Sequence, residues 1–190
     1  MKYIDKTYTK ILEVKQSKFI AHLVPYNLYD ETLERLKLEH PKARHYVVAF
    51  RYLNEFNQIV EHSSDDGEPK GTSGKPSLFV LQGSNLINSA VIIVRYFGGT
   101  KLGTGGLVRA YSDSVNLVLE DANLLDYVDE KVIDISVEYT NTRLVDYECD
   151  IFNIKILDKI FSENVVYKLK GSESNFSGFF SKVGRITVKN

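Results

Sequence analysis

The chain has 190 residues, 43% hydrophobic and 26% charged, with a net charge of −1. That is enough to bury a core in one domain or two small ones, and too balanced to hold a polyanion by net charge alone. The single cysteine, Cys149, excludes an intramolecular disulfide and fits a reducing compartment. The N-terminus lacks the apolar core of a signal peptide and no window approaches a membrane span, so a cytoplasmic protein with no membrane partner is expected.

Ile11–Val24 alternates as two short strands joined near Gln16-Ser17, with Phe19, Ala21 and Leu23 on one face. Asp30 is placed to cap a helix that turns Leu33 and Leu36 inward and ends before Pro41. His45–Leu53 reads as a strand with Tyr46, Val48, Phe50 and Tyr52 on one side and Val47, Ala49 and Arg51 on the other. Glu61–Pro76 is polar and rich in Gly and Pro, a long loop whose order periodicity does not decide. Pro76 suits the first turn of a short helix through Leu78, Phe79 and Leu81. Ala90–Tyr96 is almost uninterruptedly apolar, as a strand buried on both faces would be.

Leu107–Ala122 is the clearest helix, with Leu107, Tyr111, Val115, Val118 and Ala122 as its apolar stripe. Asn123–Glu130 reads as a linker. Beyond it a strand (Lys131–Tyr139), a helix (Asn141–Asn153), strands near Lys155–Phe161 and Val165–Lys170, a helix near Glu173–Lys182 and a strand at Arg185–Lys189 are predicted. That order is the ferredoxin-like pattern. The domain boundaries expected are 1–125 and 126–190.

The densest chemistry lies between the strand ending at Tyr96 and the helix of Leu107. Gly98, Gly99, Gly103, Gly105 and Gly106 are interleaved with Arg95, Lys101 and Arg109. Gly67–Tyr111 as a whole holds Lys70, Lys75, Arg95, Lys101 and Arg109 against Glu68 alone. Thr104-Gly105-Gly106 opens the helix, where unpaired N–H groups and the positive dipole end favour an anion. Glycines that merely let a helix pack on a strand are the alternative, and it leaves the cations unexplained. The segment is no P-loop, because Gly74-Lys75 is followed by Pro76. Nor is it a dinucleotide fingerprint, because Val108 stands where the third glycine belongs.

Asp65, Asp66, Glu68 and His62 are candidates for metal or acid–base chemistry only if the fold converges them, with His45 joining by tertiary contact. Solvated acids in a turn are the simpler reading, and no metal is expected. Cys149 reads as a small buried hydrophobe, and Ser63, Ser64 and Ser73 lack a nucleophile-elbow context. Tyr96, Phe97 and Tyr111 interleave with Arg95 and Arg109, an arrangement able to hold single-stranded nucleic acid, although most rings must fill a core that has no tryptophan.

Ser64–Pro76 (SDDGEPKGTSGKP) and Arg95–Val115 (RYFGGTKLGTGGLVRAYSDSV), with Lys18–Leu23 (KFIAHL) and Ala43–Arg51 (ARHYVVAFR), resemble the YigZ/IMPACT family. The resemblance covers residues 1 to about 125, and the remainder resembles the second domain of bacterial members. It implies an α+β fold. Its N-terminal domain would be of the βαβ type shared with the fourth domain of elongation factor G and with GHMP kinases. The C-terminal ferredoxin-like domain would be like that factor's fifth. Eukaryotic relatives act in translational control, countering a starvation-responsive initiation-factor kinase through an added N-terminal domain. The motifs here begin near Lys15, so that domain and that role are not expected.

No catalytic residue is carried over by the resemblance. What it carries is a surface: Asp66, Gly67, Glu68, Pro69, Gly71, Thr72, Gly74, Lys75 and Pro76 in one loop, and Arg95, Tyr96, Gly98, Gly99, Lys101, Gly103, Gly106 and Arg109 in the other motif. The function expected is non-enzymatic binding of RNA or the ribosome, linked to regulation of translation and needing no cofactor. Lys75, Arg95, Lys101 and Arg109 would contact phosphates, Gly103, Thr104, Gly105 and Gly106 would donate amides, and Tyr96 or Phe97 would stack on a base. The alternatives are a nucleotide- or phosphate-binding enzyme using the same helix start, with Asp66 or Glu68 as base or Mg²⁺ ligand, and a protein-binding adaptor of the translation machinery.

Overall fold

Alternation of apolar and polar residues in the first part of the chain becomes a five-stranded sheet. In the computed structural model, which describes residues 1–189, the elements of this unit (Met1–Tyr127) follow in order. They are β1 (Lys2–Tyr3), β2 (Tyr8–Val14), β3 (Ser17–Pro25), α1 (Tyr29–Glu39), β4 (His45–Leu53), β5 (Ile59–Ser64), α2 (Gly74–Gly83), β6 (Ser89–Tyr96), α3 (Gly103–Glu120) and β7 (Leu125–Asp126). The sheet order is β2-β3-β6-β4-β5, every neighbour antiparallel. β3 and β4 therefore run the same way with β6 inserted between them, so β3-α1-β4 is a crossover split by a strand.

Period-two alternation sorts the core onto the two faces. Phe19, Ala21, Leu23, Val47, Ala49, Val91 and Ile93 pack against α2 and α3. Ile20, Val48, Ile92 and Val94 meet Leu36 of α1. Covered on both sides, β6 carries the apolar run seen in the sequence. Arg51 lies on the α2 side of β4, donating to the Leu81 and Leu86 carbonyls and pairing with Glu61 at 2.6 Å.

The second unit begins at Val128. It contains β8 (Glu130–Val137), α4 (Thr142–Ile151), β9 (Lys155–Phe161), β10 (Val165–Ser172), α5 (Glu173–Val183) and β11 (Val188–Lys189), with sheet order β11-β8-β10-β9. Its core joins Ile135, Val137, Tyr167 and Leu169 of the sheet to Val145, Cys149, Phe176 and Phe179 of the helices. Burial, with Asp146 and Asp150 beside it, pushes the Cys149 thiol up to about 12, so it acts as an apolar filler. Both units mix helices with sheets, an α+β architecture. No helix among the described residues is long and apolar enough to cross a membrane.

Four expectations change. Asp30 is not the cap of α1: a 3-10 turn over Tyr26–Leu28 leads straight into the helix, leaving Asp30 in its first turn. The start of the polar Glu61–Pro76 stretch is strand, because β5 is an edge strand that hydrogen-bonds β4 without needing a large apolar face. The linker contains β7, which pairs with β1. The last strand is confined to Val188–Lys189, after a turn in which the Ile186 amide bonds the Val183 carbonyl.

Candidate functional site

The acidic loop between β5 and α2 is built around one carboxylate. Asp65 accepts from the amides of Gly71 (2.7 Å), Ser73 (3.1 Å) and Gly74 (2.8 Å) and from the Ser73 hydroxyl (2.7 Å). Burial works against its charge, but these donors outweigh burial and hold the carboxyl below its usual range. Asp65 is thus no solvated turn acid. It bonds the amides that open α2, fixing the loop against that helix. Asp66 accepts from the Tyr46 amide at 2.6 Å, Gly67 lies over the His45 ring, and the Pro69 carbonyl accepts from Thr72. Thr72 and Pro76 are buried, and Gly74 sits so close to Ser64 that a Cβ would come within 2.7 Å of its carbonyl oxygen.

Glu68 brings the two sequence motifs together. One of its oxygens accepts from the Arg95 guanidinium and from the Tyr111 hydroxyl (2.8 Å), and His45 Nε2 lies 3.8 Å away. Only 4% of the Glu68 side chain and 6% of the Arg95 side chain meet solvent. Burial and the Glu68 carboxylate push the Tyr111 phenol far up, so it is a fixed donor. His45 Nδ1–H donates to the Asp66 carbonyl at 2.7 Å. The tertiary contact that His45 required is therefore made. His62, by contrast, lies against Phe50 at 5.1 Å, so Asp65, Asp66, Glu68 and His62 do not converge on one point.

This geometry corrects the placement of Arg95. The Gly67–Tyr111 segment has no acid near Arg95 in sequence, but the loop folds Glu68 onto it, and the guanidinium lies inside rather than on the surface. Its carbon sits 5.2 Å from the Phe19 ring centroid. Tyr96 is corrected too. As the next residue on β6 it points to the opposite face, where its hydroxyl meets His40 Nδ1 at 2.9 Å. Phe97 lies beside Arg44 and Arg95. The Tyr96 ring is thus held on the α1 side of the sheet, away from α3.

Part of the two motifs remains at the surface. Lys75, Lys101, Thr104 and Arg109 are exposed, and among the described residues no carboxylate pairs with Lys75, Lys101 or Arg109. No side chain caps α3 at Leu102 and no acid occupies its first turn, whereas the α2 amides are taken by Asp65. The glycines divide by cause. Gly98 is held against the β2–β3 turn: its amide donates to Ser17 Oγ, and a Cβ there would lie 2.0 Å from the Gln16 backbone. Gly67, Gly71, Gly99 and Gly103 have positive φ, and Gly106 approaches Leu102. Gly105 has neither reason, since its φ is ordinary and a Cβ would meet nothing within 4 Å.

Residues 15–119 match the family described as Impact N-terminal domain. An IMPACT family member of Haemophilus influenzae is 36% identical, over 93% of this chain and 90% of its own length. YigZ of Escherichia coli is 43% identical over 58% of this chain and 56% of its own. Protein IMPACT-A of Xenopus tropicalis is 30% identical over 56% and 35% respectively. A crystal structure of a hypothetical protein, 29% identical, superposes with a TM-score of 0.67 over 97% of this chain and 91% of that one. The match spans both motifs joined by Glu68 and more than half of the sequence: the chain belongs to the IMPACT family.

Proposed function

We propose that the protein binds RNA, free or in the ribosome, through the exposed start of α3, in a non-catalytic role linked to translation. The observation that carries this is the uncapped first turn of α3 with Lys75, Lys101 and Arg109 exposed, none of them paired with an acid among the described residues. Exposed N–H groups and the helix dipole suit a phosphate, and three cations can follow a backbone of several. The finer likeness to the fourth and fifth domains of elongation factor G, including the ferredoxin-like reading of the second unit, belongs to the same proposal. It is supported by the split crossover of the first unit and the β-α-β-β-α-β order of the second. The enzyme alternative is less well served: Glu68 is buried and accepts from Arg95 and Tyr111, while Asp66, though exposed, spends one oxygen on the Tyr46 amide.

Co-sedimentation with ribosomes and RNA across a salt series tests the proposal. Wild type is expected to bind with affinity that falls as salt rises, and Lys101→Ala/Arg109→Ala to bind more weakly with a slope shallower by about two phosphates' worth. Affinity independent of salt would sink it. Gly105→Ala separates binding from folding. A glycine inside a helix costs roughly 0.5–1 kcal/mol relative to alanine. The variant is expected to melt at or slightly above the wild-type temperature yet bind RNA more weakly, since its methyl group stands where a phosphate would approach. A lower melting temperature with unchanged binding would show that Gly105 serves the fold.

A further inference from the structure

Between α2 and α3 lies a groove of about 360 Å³, with Gly71 and Lys75 at one end, Phe79 on one wall and Val108 and Ser112 on the other. Phe79 is 58% exposed and Val108 38%. Both sit on helices whose other faces fill the core, so this apolar strip is continuous across two elements rather than scattered. Among the described residues, Lys75 is the one charged residue in the lining, and no carboxylate shares it.

The groove continues into the face already described. Thr104, Val108 and Ser112 are spaced four apart on α3, so Thr104 stands about 6 Å further toward the helix start than Val108, on the same side. Lys75 and Phe79 are likewise four apart on α2 and share a side of that helix. An aromatic wall thus adjoins a cationic, amide-bearing end. The chemistry that satisfies both is a planar ring joined to an anion and free to leave its stack. Bases inside a duplex do not present their faces, whereas those of a single strand do.

We propose that the groove receives one unstacked base of a single-stranded RNA, lying on Phe79 while its neighbouring phosphate sits at the start of α3. This rests on the RNA-binding reading above. It assigns the stacking ring to Phe79, in place of Tyr96 or Phe97.

The test uses fluorescence anisotropy with a labelled oligouridylate and with a strand of equal length lacking its bases. Wild type, Phe79→Leu and Phe79→Tyr are compared; Phe79 is exposed, so neither change threatens the core. Phe79→Leu is expected to weaken the base-bearing strand about tenfold. Phe79→Tyr should keep near-wild-type affinity, and all three proteins should bind the base-free strand alike and less tightly. If Phe79→Leu leaves both affinities unchanged while Lys101→Ala/Arg109→Ala weakens both, the groove is not a base site, although RNA binding stands. If wild type ignores both strands at low salt, the RNA reading and this one fail together. Wild type that ignores both strands but binds an acidic, tyrosine-containing peptide overturns both and makes the groove a protein-docking surface.

Discussion

Replacing Arg95 by alanine is expected to lower stability by about 3–5 kcal/mol, read as a shifted urea-unfolding midpoint at unchanged slope. The size follows from what remains behind. Glu68 is buried beneath the loop, and without the guanidinium it keeps only the Tyr111 hydroxyl and the more distant His45 ring. An ionised carboxylate in that position is badly underpaired. Glu68→Gln should destabilise less than Arg95→Ala, because the amide oxygen still accepts from Tyr111. A joint change to apolar residues of similar size, Arg95→Met with Glu68→Leu, should recover part of the loss, since the pair's desolvation penalty goes with it. A loss below about 1 kcal/mol in Arg95→Ala would mean that the loop opens readily and Glu68 reaches water. The same result governs how binding experiments are read. If the protein binds RNA as proposed, Arg95→Ala would weaken that binding by loosening the loop, whereas Lys101 and Arg109 are exposed cations whose removal leaves the interior alone.

Strand parity made much of this site legible, and distance in sequence hid the rest. His45–Leu53 matches β4 to the residue because its β-branched and aromatic residues fill both faces of the sheet, Val47 and Ala49 on one and Val48 on the other. The same parity on β6 separates Arg95 from Tyr96: Val91 and Ile93 line the α2–α3 side, Ile92 and Val94 the α1 side, and the two motif residues continue those rows in opposite directions. Composition counted both as one basic-aromatic cluster because it has no faces. The partner of Arg95 lies 27 residues away, on a loop without periodicity, and local pattern does not encode such a pairing. Phe79 was hidden differently. It sits in an apolar run within a short helix, where core is the ordinary expectation, and only the packing of α2 against α3 shows which side stays open. The helix start of α3, by contrast, is legible from Thr104-Gly105-Gly106 because glycine placement and the onset of 3.6-residue periodicity coincide.

Stabilising roles and exposed charge are separated within the two motifs. Asp65, Glu68, Arg95, Tyr111, Gly74 and Gly98 hold loops to the sheet, while Lys75, Lys101, Thr104, Gly105 and Arg109 face outward. A dense motif therefore mixes two kinds of residue, and substitutions should divide into those that move the melting temperature and those that move the salt slope.

Asp65→Asn belongs to the first kind, and its effect should depend on pH. The carboxylate accepts three backbone amides and one hydroxyl. An asparagine oxygen can replace only part of that set, and its NH₂ group would face donors. With hydrogen bonds to a charged group worth about 1.5–3 kcal/mol each and some compensation by water, a loss of about 2–4 kcal/mol at neutral pH is expected. The sign of the pH dependence follows from the direction of the shift. Asp65 is held below its usual range in the folded chain, so the unfolded chain binds more protons in the interval between the two values. Its contribution is complete above the unfolded value of about 3.9 and is lost as pH falls through the folded one. The stability gap between wild type and Asp65→Asn should therefore be constant from about pH 7 to pH 5 and close progressively on acidification below about pH 4. Chemical unfolding of both proteins at a series of pH values measures it. A gap that stays open at the most acidic pH would show that the loop is held by something other than the charge on Asp65. Closure would assign to that one carboxylate the order of the loop from which Glu68 reaches Arg95.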